Sequence, residues 1–368
     1  MPKNSLGIRS FDYIEFFVGS AKMWAYWHAK ALGFDIVGYL GPETGHKDRC
    51  TYYLKQNDIK IQITSALKPQ TYDVTDFVTR HGDGVKLIGY EVDDVEKAFD
   101  QVARRGGIPV TAPTKYEDEF GWTVQASFRV YDDTEIVLIN YDNYRGVLKP
   151  GFGPPIQKYE VACEAVGLKA IDHVVGNVRP NEMDMWVGYF NRIFDFETFV
   201  DFGPGDIATK YSALLSKVVR SKDNVIKHPI NEPFKGLRKS QIEEYIQEYN
   251  GSGVQHIAIR TDNILTSIRA LRANGVEFLE VPKSYYDMLK EKGVEINEDI
   301  ERLCELGILC DIEGEGYLLQ LFTKPIGDRP TFFYEIIQRV GKSEGFGKGN
   351  FQSLFEAIER DQAKRGNL

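Results

Sequence analysis

Three side chains interrupt apolar stretches where a core residue is expected, and together they have the donor chemistry of a metal site. His173 lies in Ala170-Ile-Asp-His-Val-Val175, His256 in Val254-Gln-His-Ile-Ala-Ile259, and Glu335 in Thr331-Phe-Phe-Tyr-Glu-Ile-Ile-Gln338. Extended chain sends successive side chains to opposite faces, so His173 falls with Ile171 and Val175, His256 with Val254 and Ala258, and Glu335 with Phe333 and Ile337. All three are expected to project into an apolar interior. One strand histidine is ordinarily a hydrogen-bonded core residue, but three such intrusions in three strands point to a shared partner. Buried imidazoles and a carboxylate are costly without one, and a divalent cation satisfies all three at once. Two histidines and one carboxylate suit a non-haem Fe(II), one per chain, that keeps positions open for substrate and oxygen.

The elements that must bring these residues together are visible as an internal repeat. Gly7-Ile-Arg-Ser-Phe-Asp-Tyr13, with a helical stretch ending in Ala31-Leu-Gly-Phe34, resembles Gly167-Leu-Lys-Ala-Ile-Asp-His173 followed by Trp186 to Phe194. Gly82-Asp-Gly-Val-Lys-Leu-Ile-Gly-Tyr-Glu-Val92 and the amphipathic run through Val102 mirror Gly251-Ser-Gly-Val-Gln-His-Ile-Ala-Ile259 and the run through Leu271. Each unit reads as a strand, a helix and further strands. The expected fold is α+β, with four βαβββ modules forming two open barrel-like domains, residues 1–150 and 151–368, joined near Gly151-Phe-Gly-Pro-Pro155. Tyr13 and Leu87 stand in the first half where His173 and His256 stand in the second. The metal chemistry is therefore expected in the second half only. His28, His46, His81 and His228 have no comparable setting and are expected at the surface or in loops.

A polar and aromatic shell surrounds the three donors in sequence. Gln320 breaks the apolar run Tyr317-Leu-Leu-Gln-Leu-Phe322, while Ser216, Asn231 in Ile230-Asn-Glu-Pro233, and Gln241 are weaker signals. Neutral amides and hydroxyls suit an aromatic substrate that carries a phenol. At the C-terminus, Gly345-Phe-Gly-Lys-Gly-Asn-Phe351 is a glycine loop, and Asn350 is positioned to cap a helix with Phe351, Leu354, Phe355 and Ile358 at helical spacing. Phe346 and Phe351 are expected to close over the metal as part of a lid. A phosphate-binding loop is the rival reading of these glycines, a weak one because no strand leads directly into them.

Composition bounds the rest. With 368 residues, 42% of them hydrophobic, the chain suits about two domains, and its net charge of -9 argues against a nucleic-acid surface or a polybasic membrane patch. Met1-Pro-Lys-Asn-Ser-Leu lacks an apolar signal core and no run approaches a membrane span, so a cytoplasmic enzyme for a small ligand is expected. Cys50, Cys163, Cys304 and Cys310 form no close pair and are expected to be reduced, mostly buried thiols.

With these residues in hand, the four-module plan resembles the vicinal oxygen chelate superfamily over essentially the whole chain, and the second half resembles the 4-hydroxyphenylpyruvate dioxygenase family. The resemblance rests on Gln255-His-Ile-Ala258, Leu318-Leu-Gln-Leu-Phe-Thr-Lys-Pro325, Gly327-Asp-Arg-Pro330, Glu335-Ile-Ile-Gln-Arg339 and Gly345-Phe-Gly-Lys-Gly-Asn-Phe351. It implies that His173, His256 and Glu335 are iron ligands. It further implies that Ser216, Asn231, Gln241, Gln255, Gln320 and Asn350 belong to the substrate pocket, with Phe322, Phe346 and Phe351 as an aromatic clamp. The implied reaction converts 4-hydroxyphenylpyruvate and O2 to homogentisate and CO2, a step of tyrosine catabolism, by oxidative decarboxylation, ring hydroxylation and side-chain migration. Members are expected to be homodimers or homotetramers. The alternatives are 4-hydroxymandelate synthase, expected to have a smaller aliphatic residue in place of Phe351, an extradiol dioxygenase, and a non-catalytic aromatic-ligand binding protein of the same fold.

Overall fold

The computed structural model describes residues 4–159, 161–203 and 213–366, without the side chains of residues 213, 351, 352, 354, 355 and 361. Its first half contributes strands β1 (Ile8–Phe17), β2 (Asp35–Leu40), β3 (Arg49–Gln56), β4 (Ile59–Ala66), β5 (Gly84–Val92), β6 (Ile108–Asp118), β7 (Gly121–Val130) and β8 (Thr134–Asn140). The second contributes β9 (Leu168–Asn177), β10 (Phe196–Phe202), β11 (Ala213–Ser221), β12 (Lys227–Phe234), β13 (Gly253–Thr261), β14 (Leu309–Glu313), β15 (Gly316–Phe322) and β16 (Phe333–Gly341). They form two eight-stranded sheets with the orders 2-3-4-1-5-8-7-6 and 10-11-12-9-13-16-15-14. The second order is the first with eight added to every strand, so the repeat read in sequence is a repeat of topology.

Within each module one helix connects the first strand to the next three. These helices are α1 (Ala21–Leu32) and α3 (Val95–Arg104) in the first half, with α2 (Tyr72–His81) linking the modules. In the second half they are α4 (Met183–Phe194) and α6 (Ile264–Ala273), with α5 (Gln241–Tyr249) as the link. Local chemistry fixes their ends. The side chains of Asp94, Ser240 and Asn263 accept hydrogen bonds from the backbone N–H groups of Lys97, Glu243 and Thr266, satisfying donors that the first turn leaves open. Helix α1 stops at Gly33, whose φ of 74° is the left-handed conformation that glycine adopts without a Cβ penalty.

The fourth module departs from the plan. Helices α7 (Lys283–Glu291) and α8 (Ile300–Leu306) are inserted between α6 and β14, and α9 (Phe351–Lys364) follows the last strand. The inserted pair is not read from the repeat, because it has no counterpart in the other modules to match.

One continuous apolar core runs from Leu6 to Ile358 through both halves. The expectation for three of the histidines is corrected here: His28 and His228 are fully buried and His81 nearly so. His28 Nδ1 lies 2.8 Å from the Trp24 carbonyl and its Nε2 lies 2.9 Å from the Tyr334 hydroxyl, across the junction between halves. His228 does the same with the Val174 carbonyl and the Tyr90 hydroxyl, at 2.9 and 2.5 Å. In both, the carbonyl fixes the proton on Nδ1 and the phenol donates to Nε2. Such satisfied rings are tolerated in a core, and no strand alternation announces them. All four cysteines are free; Cys50 and Cys310 are buried, Cys163 is exposed and Cys304 is half-buried. Among the described residues no helix is long and apolar enough to cross a membrane.

Candidate metal centre

His173, His256 and Glu335 sit on β9, β13 and β16, three strands that are neighbours in one sheet. Ala258 of β13 lies opposite His173 on one side and opposite Glu335 on the other. Adjacent strands are about 4.8 Å apart, so the imidazole and the carboxylate lean toward each other over the small alanine. His256 enters two residues earlier on β13. The closest donors are His173 Nε2 and His256 Nε2, 3.2 and 3.4 Å from Glu335 Oε2. Ligands that bind an ion at about 2.1 Å are themselves separated by about 3 Å, so the spacing fits a cation between them. The three donors form a buried group able to hold a metal.

Simple alternation fails at one point. The β13–β9 register slips between Val254 and His256, leaving Gln255 as the extra residue of a β-bulge. Val254 turns into the main core, whereas both Gln255 and His256 line the site cavity. Alternation alone puts Gln255 on the opposite face.

Each histidine is oriented from behind. His173 Nδ1 lies 2.9 Å from Asp172 Oδ1, and His256 Nδ1 lies 3.1 Å from Gln255 Oε1. Both partners accept, so both Nδ1 atoms carry the proton and both Nε2 lone pairs face Glu335. Burial opposes charge on His173, but Glu335 and Asp172 outweigh it and raise its pKa above the ordinary imidazole value. At His256 burial prevails and the pKa is lowered. Burial also works against ionised Glu335, yet the two histidines draw its pKa down to about 2. The carboxylate is held as an anion, the form a cation needs.

The donors line a cavity of 70 Å³ with walls that include Val175, Phe202, Leu214, Val218, Phe322 and Phe333. Ser216, Asn231, Gln241, Gln255 and Phe346 line the same cavity. Ser216 and Asn231 are directly opposite each other on β11 and β12, and Gln241 opens α5. Phe346 meets the His173 ring edge to face at 5.1 Å. Gln320 and Asn350 stand back from this wall. Gln320 is buried, its amide atoms have no partner among the described residues, and it lies beneath Gly347. Asn350 Oδ1 instead accepts from the Tyr285 hydroxyl at 2.7 Å. The side chains of Phe351, Leu354 and Phe355 lie outside the described residues.

Sequence reasoning missed Asp172, Phe333 and Phe202. The Asp-His pair was visible, and so was Asp12 before Tyr13 in the repeat, but an acid beside a histidine in a strand is expected on the other face. The bulge around each pair, where β1–β5 and β9–β13 both slip register, is what turns the acid toward the site. In the first half the equivalent positions are Tyr13, Leu87 and Val137, which gather in one small apolar cluster.

A family model described as the glyoxalase/bleomycin resistance protein/dioxygenase superfamily matches residues 10–138 and 170–291, one stretch in each half. The chain is 43% identical over 98% of its length to all of a 4-hydroxyphenylpyruvate dioxygenase of Dictyostelium discoideum. It is 44% identical over 99% of its length to 95% of the enzyme of that name from Yarrowia lipolytica. Among solved structures, a mutant of 4-hydroxymandelate synthase from Streptomyces coelicolor is similar with a TM-score of 0.84 and 29% identity, over 97% of this chain and 100% of that one.

Proposed function

The chain belongs to the 4-hydroxyphenylpyruvate dioxygenase family of the glyoxalase/bleomycin resistance protein/dioxygenase superfamily, and on that premise we propose that it converts 4-hydroxyphenylpyruvate and O2 to homogentisate and CO2. The observation that carries the reading is the convergence of two imidazole Nε2 atoms on one ionised carboxylate inside an apolar cavity. We assign His173, His256 and Glu335 as the ligands of a single Fe(II). This donor set leaves positions open, as a chelating 2-oxo acid and dioxygen require. Iron held there would supply the activation of oxygen and the anchoring of the oxo acid.

The protein's own part is orientation and exclusion of water. Ser216, Asn231 and Gln241 offer neutral donors and acceptors to a phenol without adding charge to the cavity. Phe322 and Phe333 flank His256 at 6.0 and 4.8 Å and supply flat walls for the ring. Phe346 covers His173 from the C-terminal side and keeps bulk water from the centre. At 70 Å³ the cavity is below the roughly 300 Å³ of a typical small-molecule pocket. Substrate entry in this reading widens the cavity on the side closed by Phe346 and by Ile358 of α9, which would act as a lid. Gln320, Asn350 and Phe351 join the pocket in this reading as parts of that lid and its support.

The reading also divides the chain into residues 1–150, without a metal, and 151–368, which carry the catalysis. From the family likeness it includes a homodimer or homotetramer acting in the cytoplasm, which light scattering and fractionation test. The deciding experiment is anaerobic Fe(II) reconstitution, addition of 4-hydroxyphenylpyruvate and oxygen, and identification of the product by chromatography and mass spectrometry. Homogentisate with matched oxygen uptake supports the proposal. 4-Hydroxymandelate moves the chain to benzylic hydroxylation, and no product despite bound iron rejects this substrate.

A further inference from the structure

Behind the candidate ligands one guanidinium touches two parts of the site that the chain otherwise supplies separately. Arg339, four residues beyond Glu335 on β16, forks onto Asp172: its Nη2 lies 2.7 Å from Oδ1 and its Nε 2.9 Å from Oδ2. The same Oδ1 accepts from His173 Nδ1 at 2.9 Å. The remaining arm of the fork, Nη1, donates to the Gly345 carbonyl at 2.7 Å. Gly345 is followed by Phe346, whose ring lies 5.1 Å from the His173 ring and 5.7 Å from the Arg339 guanidinium carbon. The contacts close a ring: His173, Asp172, Arg339, Gly345, Phe346 and back to His173. Both charged members are largely buried, with 5% of the Asp172 side chain and 12% of the Arg339 side chain exposed.

The turn is pinned from a second side. Glu313 Oε2 accepts from the Gly345 N–H and from the Ser343 hydroxyl, both at 2.8 Å. A Cβ on Gly345 would come within 1.7 Å of Glu313 Oε1, so a side chain here would displace the carboxylate that holds the amide. The amide of Gly345 is thus held by a carboxylate on β14 and its carbonyl by a guanidinium on β16.

We propose that Arg339 is a positioning residue that sets the orientation of the His173 imidazole and the closed position of the Phe346 turn together. A bidentate guanidinium can make both sets of bonds only in one geometry. Rotating Asp172 frees the imidazole, and withdrawing Arg339 to follow it releases the turn. Loss of Arg339 then disturbs the His173 orientation and the turn together, whereas loosening an anchor on one side disturbs that side alone. A general packing role predicts no such link. The inference rests on His173 being a metal ligand, as proposed above.

The test uses the full-length apoprotein and measures two quantities: anaerobic Fe(II) affinity, and amide hydrogen exchange at residues 345–347. Arg339→Gln is expected to weaken Fe(II) binding by about 10-fold or more, as loss of a group orienting a ligand does, and to speed exchange at the turn. Arg339→Lys keeps a charge beside Asp172 but lacks the fork, so it is expected to recover metal affinity and leave the turn unprotected. Glu313→Gln loosens the other anchor and is expected to speed exchange with Fe(II) affinity unchanged. The proposal is overturned if Arg339→Gln leaves either quantity as in the parent, or if Glu313→Gln weakens Fe(II) binding as much as Arg339→Gln. Should the buried Asp172 left by Arg339→Gln prevent folding, the neutral pair Asp172→Asn with Arg339→Gln is measured by the same criteria. His173→Ala, run in parallel, separates the two levels: undiminished Fe(II) binding there rejects the ligand assignment itself.

Discussion

Glu335 is the residue whose chemistry is hardest to explain without a cation. Its carboxylate is buried on an apolar strand and is kept ionised by the two imidazoles. Replacing it by glutamine keeps the shape and removes the charge. Glu335→Gln is expected to lower metal affinity by more than about 100-fold, beyond the usual effect of a residue that only orients a ligand, with activity lost in parallel. Titration of the apoprotein with Fe(II) under nitrogen measures it, and an affinity still near that of the parent would sink the assignment. His173, deprived of its main charged neighbour, should also lose its elevated pKa, visible as an upfield-to-downfield imidazole titration at lower pH. Proton position separates the candidate donors from their supports: Asp172 and Gln255 hold Nδ1–H, which leaves Nε2 free to take a cation.

At the scale of elements, the same strand order is built twice, and among the described residues only the second copy carries a group able to hold a metal. Tyr13 occupies the position of His173, and its buried hydroxyl has no hydrogen-bond partner among the described residues. Tyr13→Phe removes an unsatisfied group, so metal stoichiometry and turnover should be unchanged and stability altered by within about 1 kcal/mol, in the favourable direction. Loss of iron from that variant would mean that the first sheet contributes to the site. The turn before α9 is the opposite case, an element with no slack. Gly347 has a φ of 76°, and a Cβ there would approach the Gln320 amide nitrogen to 2.3 Å. Gly347→Ala is therefore expected to destabilise the closed turn by about 1–3 kcal/mol. Limited proteolysis should show new cleavage near residue 347 with the rest of the chain intact, whereas an unaltered digestion pattern would show that the turn tolerates a side chain.

For the whole molecule, the contact between halves has a pH signature. Burial holds the His28 pKa down to about 4 and the His228 pKa down to about 3, both from an ordinary 6.5. An unfolded chain takes up protons on these rings near pH 6.5, while the folded protein refuses them until much lower. The unfolded state binds more protons in between, so stability falls as pH drops from 6.5 toward 4. Between pH 7 and 5 the loss should be on the order of 2 kcal/mol for each ring. Urea unfolding at the two pH values measures it, and His28→Gln should flatten the dependence. An equal slope in that variant would assign the acid sensitivity to other groups. Since His28 meets Tyr334 and His228 meets Tyr90, the first consequence of acid should be loosening between the halves.

Much of this was legible in the chain. A charged residue inside an apolar strand is conspicuous because burial is expensive, so His173, His256 and Glu335 could be picked out singly. A repeat of strand and helix patterns fixed the module count, since the same periodicity recurs wherever the same element must bury one face. What sequence could not supply was relative position. That the three donors meet depends on β9, β13 and β16 being neighbours, although β13 and β16 are separated by helices α6 to α8. The side of Gln255 depended on a bulge, which adds one residue to a strand without any mark in a hydrophobic pattern. The buried histidines, the fork of Arg339 and the retreat of Gln320 and Asn350 were likewise decided by partners distant in sequence. Residue type and local period determine what each segment must hide and which groups need a partner; only the packed sheet determines which partner each one finds.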